Sequence, residues 1–192
     1  QVGAVPVLVD VDLDTYNISP EAVQRAITPR TKAIMPVHLL GNLCPMGAIM
    51  GMAGAHNIVN SRDMALPRPL ELSVTRRLVV IEDACEAHGA EYGATKVGAM
   101  GNLGTFSFFF SHNISTIEGG MVVTNSLEIA EKCRSLRAFG WIRELSNKET
   151  IAAAHPDIDP RFLFIGAGFN MRPTEIQGAF GIHQLPRLEG FI

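Results

Sequence analysis

The sequence predicts an α/β domain built on a largely parallel sheet. Three observations carry that expectation. Short β-rich runs alternate with helix-like stretches along the chain. The clearest run, Leu78-Val-Val-Ile-Glu-Asp83, is apolar almost to its end and closes on two acids. The chain has 192 residues, enough for one domain with a sizeable core.

The elements follow in order. Residues 5–10 form a short β-rich run, broken by Asp14-Thr-Tyr-Asn17. Ser19, Pro20 and Glu21 read as an N-cap, a proline at the first helical position and a first-turn acid. The helix they open is expected to run to about Ile27. Residues 32–38 are a second strand candidate, ending at Gly41, and a helix is expected over 48–56. Strands follow at 78–83, 105–110 and 120–124, and helices at 127–139 and 174–184. Two stretches read as loops: 60–77, with Pro67 and Pro69, and 146–161, with Pro156 and Pro160. The first is longer than most αβ connections. There is no internal repeat and no low-complexity tract.

Composition narrows the function. With 47% apolar and 18% charged residues the chain reads as an ordinary globular protein. A net charge of −3 gives no basic surface to recommend nucleic acid as a partner. No apolar run reaches the roughly 18 residues of a membrane span. Cys44, Cys85 and Cys133 are widely spaced and form no zinc pattern. They read as reduced thiols of a cytoplasmic protein, and no metal is expected. The chain begins with Gln1 rather than Met, so a preceding segment is expected.

Three segments carry chemistry. Ile81-Glu-Asp-Ala-Cys-Glu-Ala-His-Gly89 sets acids and a histidine at the end of an apolar strand, where α/β sheets bind ligands. A buried carboxylate there needs a positive or hydrogen-bonding partner, and a protonated pyridine nitrogen is one. The alternative is that Asp83 caps the next helix and His88 packs. On this motif alone, that alternative prevails.

In residues 106–120 an apolar strand runs into a loop with His112, several hydroxyls and Gly119-Gly120. Hydroxyls and loop amides suit a phosphate; a tight hairpin-like turn with a structural histidine is the other reading. In residues 166–177 a Gly-rich approach leads to Pro173 and Thr174 at a helix start. Asn170 and Arg172 there face an anion or a partner subunit, or else simply belong to a capped helix with a solvated arginine. No Walker loop, GxGxxG or GxSxG occurs, which removes support for NTPase, Rossmann and α/β-hydrolase readings.

Taken together these segments resemble the DegT/DnrJ/EryC1/StrS sugar aminotransferase family of fold-type I pyridoxal-phosphate enzymes. Residues 6–12 resemble its early strand, 31–41 its PVHLYG segment and 80–89 its VIEDAAQAHG segment. Residues 106–120 resemble the cofactor-lysine loop and 168–177 the GYNxRxxEIQ segment.

The resemblance implies a three-layer α/β/α large domain with a mostly parallel sheet, present as a fragment. The phosphate-binding segment before it and the small C-terminal domain are expected outside this chain. Residues 59–77 are expected to be an inserted loop. The implied cofactor is pyridoxal 5′-phosphate or its pyridoxamine form. Asp83 would pair with the ring nitrogen, Glu86 would lie by the ring hydroxyl, and Ser107 would donate to the phosphate. Asn170 would reach a phosphate from the neighbouring subunit of a homodimer. His38, His88 and Arg172 are weaker candidates for substrate contacts.

One departure redirects the chemistry. The family loop has its lysine five residues after the serine, and here that position is His112, followed by Asn113. No lysine occurs between Lys96 and Lys132. Imidazole cannot condense stably with an aldehyde, so the pattern resembles the family's dehydratase branch, which removes oxygen from carbon 3 of a 4-keto-6-deoxy nucleotide sugar. The implied role of His112 is that of a catalytic base, suited by an unperturbed pKa of about 6.5. The segment 140–169 contains no cysteine, so the implied type carries no iron–sulfur cluster and uses glutamate to regenerate the amine form. A nucleotide-sugar aminotransferase and a catalytically silent relative are the competing expectations.

Overall fold

The computed structural model describes residues 2–55 and 78–192. The expectation of an inserted loop at 59–77 lies outside the described residues. Helix α1 spans Pro20–Ala26 and starts as expected, with the Ser19 side chain accepting from the Ala22 N–H. Strand β1 (Ala33–Ile34) is short. Helix α2 (Met46–Ala55) buries Met46, Ile49 and Ala53. Strand β2 (Val79–Asp83) alternates in burial, with Val80 and Glu82 on the inner side. A small hairpin follows, β3 (Glu91–Tyr92) and β4 (Thr95–Lys96), turning at Gly93 with φ +63°. Strands β5 (Leu103–Ser107) and β6 (Gly120–Val123) precede helix α3 (Leu127–Arg137). Helices α4 (Lys148–Ala153) and α5 (Glu175–Gln184) complete the order.

The main sheet runs β1-β2-β5-β6. The first three strands are parallel and β6 returns antiparallel to β5. Its largest apolar cluster lies between this sheet, α1 and α2, built on Val23, Ile34, Met46, Ile49, Leu78 and Val80. A second cluster, Ala84, Ala87 and Val97, supports the turn that leaves β2. The third, Ile142, Leu145 and Leu163, holds the segment around α4. Among the described residues no helix is long and apolar enough to cross a membrane.

Several elements differ from their expectation. Residues 5–10 make no strand; the bridge nearby among the described residues is Val11–Ile18. A β-rich run becomes a strand only when a neighbour takes its backbone hydrogen bonds along its length, and among the described residues only the Asp10 carbonyl is taken, by the Ser19 N–H at 3.1 Å. Strand β5 ends at Ser107 rather than residue 110, because the Ser107 Oγ accepts the Phe109 N–H and turns the chain. Helix α3 stops at Arg137, since Phe139 (φ +63°) and Gly140 (φ +84°) adopt left-handed backbone. The expected loop 146–161 contains α4, formed by Lys148-Glu-Thr-Ile-Ala-Ala153 ahead of its two prolines.

Candidate active site

The site is set by the carboxyl ends of β2 and β5. Asp83 is in register with Thr105, two residues before Ser107. Paired neighbours point the same way and side chains alternate, so Asp83, Thr105 and Ser107 share one face of the sheet. Glu82 and Phe106 take the other. Asp83 is anchored by its backbone, its N–H donating to the Pro36 carbonyl at 2.8 Å. Its Oδ1 accepts from the Cys85 N–H at 3.1 Å, and the Cys85 thiol hydrogen-bonds the same carboxylate. Burial, and after it the Asp83 carboxylate alongside, push the Cys85 thiol up to about 11, so this cysteine stays protonated.

Glu86 lies one turn beyond Asp83. Its Oε2 accepts from the Leu40 N–H at 2.9 Å. Ser107 uses its oxygen as an acceptor from Phe109, at 3.2 Å, which leaves the hydroxyl hydrogen free to donate outward.

His112 sits in the loop between β5 and β6. The loop is tied by the Phe108 N–H to the Gly119 carbonyl and by the Thr116 N–H to the Phe108 carbonyl, each at 2.9 Å. From α5, the Gln177 Nε2 donates to the Glu118 carbonyl at 2.7 Å. The His112 ring meets Phe109 edge-on, and its Nδ1 is buried with no hydrogen-bond partner among the described residues. His88, 6% exposed, packs between Phe106 (ring centroids 5.1 Å apart) and Phe108 (5.8 Å). Neither of its ring nitrogens is bonded. Burial first, and the nearby His112 second, hold His88 below its usual pKa and keep it neutral. This is the packing alternative for His88.

The expectation of a substrate contact at His38 is corrected. The side chain is wholly buried, its Nδ1 accepts the Cys44 N–H at 3.1 Å, and its Nε2 lies 3.2 Å from Glu82 Oε2. Both nitrogens are used inside the protein, so none remains for a ligand. Glu82, the partner, escaped the sequence reading. Its signal was the alternation of β2, which sets Glu82 on the same buried side as Val80.

Asn170 and Arg172 are not brought to Asp83. They line a cleft of about 580 Å³ with Arg137 and Thr174, in which neither Asp83, Ser107 nor His112 takes part. Asn170 is bridged to Ala138, and the Arg172 guanidinium lies 5.9 Å from the centre of the Phe139 ring. A larger cleft, about 690 Å³, lies among Trp141, Arg143, Lys148 and Phe162 and contains none of the expected residues. Among the described residues no cluster of histidine, cysteine and acid side chains suits a metal ion.

Comparison with known proteins decides the family. The DegT/DnrJ/EryC1/StrS aminotransferase family profile matches residues 1–66 and 64–192. The chain belongs to that family. Similar relatives include GDP-perosamine synthase of Caulobacter vibrioides, 42% identical over 97% of this chain and 41% of the relative. GDP-4-keto-6-deoxy-D-mannose 3-dehydratase of Escherichia coli O55:H7 is 38% identical over 96% of this chain and 43% of its own length. A solved Escherichia coli structure of the latter enzyme, with bound hydrated PLP, superposes with a TM-score of 0.74 at 37% identity, covering 94% of this chain and 42% of that one. The fold is thus the expected fold-type I transferase fold. The chain spans about two fifths of the length of these curated relatives.

Proposed function

We propose that the protein containing this chain removes the hydroxyl from carbon 3 of a 4-keto-6-deoxy nucleotide sugar, using pyridoxal phosphate cycled through its pyridoxamine form. The observation that carries the reading is His112, at the position where the family resemblance expects a lysine, in a stretch with no lysine between Lys96 and Lys132. Similarity to a named 3-dehydratase supports it.

The residues present fit the cofactor. Asp83 carries a carboxylate at the end of β2 with no Lys or Arg ion pair among the described residues, as a partner for a protonated ring nitrogen requires. Ser107 has a hydroxyl hydrogen to give a phosphate. His112 has a buried ring nitrogen without a partner. When bound, the cofactor supplies a primary amine for the keto group and a ring that accepts electrons.

The chain's own part is to bind, orient and move protons. The negative charge of Asp83 favours the protonated ring nitrogen. Glu86, held by the Leu40 N–H, would be the partner of the ring hydroxyl, and Ser107 would hold the phosphate. His112 takes up and returns the proton, since an imidazole has a ring nitrogen that can accept a proton and give it back. Asn170, in its own cleft with Arg137 and Arg172, serves the phosphate of a partner subunit in a homodimer. Glutamate would be the source of nitrogen for the amine form.

A second reading, nucleotide-sugar transamination, is favoured by the similarity to GDP-perosamine synthase. The deciding experiment mixes the full-length protein with a 4-keto-6-deoxy nucleotide sugar, pyridoxal phosphate and glutamate, and weighs the products. Loss of the hydroxyl without gain of nitrogen is expected. Gain of nitrogen supports transamination, and an unchanged sugar indicates a silent relative.

A further inference from the structure

We propose that the buried Glu82–His38 pair is a positioning device that fixes the reach of Asp83 and Glu86 toward the cofactor, an inference that rests on the cofactor reading above. Glu82 is 0% exposed and every part of its carboxylate is engaged. Oε1 accepts from the Met100 and Gly101 N–H groups at 2.8 and 2.6 Å, and Oε2 from the Gly98 N–H at 2.9 Å and from His38. Successive backbone N–H groups turned on one carboxylate form an anion nest. The Cys44 N–H points at His38 Nδ1, so that nitrogen carries no proton and Nε2–H is the donor to Glu82.

The pair therefore joins three segments: the end of β2, residues 98–101 and residues 38–44. The same short loop is held twice more by the candidate site. The His38 N–H donates to the Asp83 carbonyl at 2.9 Å, and the Leu40 N–H donates to Glu86 Oε2 at 2.9 Å. Between these anchors Leu40 adopts φ +51°, ψ 34°, a left-handed conformation costly for leucine, so the loop is held in place by its surroundings. Glu82 and Asp83 are consecutive and point to opposite faces of the sheet. Fixing the first fixes the direction of the second, and fixing His38 fixes the loop that holds Glu86. Fold stability alone is a poor reason for such a pair, because well-packed apolar residues commonly serve as well or better.

The test uses full-length protein carrying Glu82→Gln, His38→Ala, His38→Gln and Asp83→Asn. Gln at position 38 offers one amide donor and one oxygen acceptor, as the neutral imidazole does. Thermal unfolding, kcat and KM for the nucleotide sugar, and the pH titration of the bound cofactor's absorbance are measured for each. Glu82→Gln and His38→Ala are expected to keep KM within about twofold and lose about tenfold or more in kcat, as misplaced catalytic groups do, with a shifted absorbance titration. His38→Gln is expected to restore both. Wild-type kcat and titration in Glu82→Gln and His38→Ala overturn the proposal, as does a loss that follows the unfolding temperature alone. Should those two fail to fold, His38→Asn decides: a shifted titration in a folded protein supports positioning, and a wild-type titration or an unfolded chain assigns the pair to folding only. If Asp83→Asn leaves cofactor binding and its titration unchanged, the cofactor reading itself falls. If Asp83→Asn changes them and the pair variants do not, only the positioning inference falls.

Discussion

His112 meets Phe109 edge to face, with ring centroids 5.9 Å apart and planes inclined at 66°, and its buried Nδ1 has no protein partner among the described residues. The imidazole is thus aligned by an aromatic contact while a nitrogen stays available for a proton. His112→Asn keeps the size and polarity of the side chain and removes the base. It is expected to unfold at the wild-type temperature and to lose about a hundredfold or more in kcat, the usual worth of a placed general base. Near-normal turnover would remove His112 from the mechanism.

Cofactor attachment gives a chemical check. Borohydride treatment of the cofactor-loaded protein, followed by digestion and mass spectrometry, is expected to leave no covalent label within residues 106–120, because no primary amine occurs there. A reduced pyridoxyl adduct on this segment would contradict the reading of the loop.

For Asp83→Asn, the Cys85 N–H can still be accepted by the amide oxygen, so the fold is expected to survive. Turnover is expected to fall at least about tenfold, the factor that corresponds to about 1.4 kcal/mol of lost charge pairing. Steady-state kinetics alongside circular dichroism checks this, and wild-type activity would give Asp83 a capping role only.

Acid should act on Glu82. Burial opposes its ionisation, but the His38 hydrogen bond and the N–H groups of Gly101, Gly98 and Met100 outweigh burial and hold the carboxyl below its ordinary value. A depressed folded-state pKa stabilises the fold fully above the unfolded carboxyl's range, about 4.3, and that contribution fades as pH falls below it. Denaturant unfolding of wild type and Glu82→Gln is expected to differ by a constant amount above about pH 5.5 and by less with each step down to pH 3. A difference independent of pH would show that the carboxylate is not charged in the fold.

Thr174 caps α5 with a reciprocal box: its side chain accepts from the Gln177 N–H, and Gln177 Oε1 accepts from the Thr174 N–H at 2.7 Å. Thr174→Ala is expected to lower stability by about 1 kcal/mol, and Thr174→Ser to retain it. Equal unfolding midpoints for the two variants would deny the cap its role.

These cases mark what the sequence alone makes legible. The caps at Ser19 and Thr174 and strand β2 are local features, readable within a few residues. Asp83 and Ser107 were legible through motif resemblance, and strand register brings them to one face. The strand expected at residues 5–10 fails because pairing is not a local property. The role of His38 was misread for the same reason: its partner Glu82 lies 44 positions away, and only the folded register brings them together. The hairpin at Gly93 was hidden by strands of two residues each, too short for any alternation to show.

The nest around Glu82 depends on a bare backbone. Gly98 holds φ +85°, and a Cβ on Gly104 of β5 would collide with the backbone of Gly98. Any side chain at 104 pushes residue 98 outward and withdraws an N–H from a carboxylate that is wholly buried. Sequence drift here is therefore not free to proceed one position at a time. A change at 98 or 104 while Glu82 stays charged leaves a buried carboxylate short of N–H partners, and losing the acid first strands the N–H groups that faced it. The order in which substitutions are attempted, as much as their identity, determines which variants of this region survive.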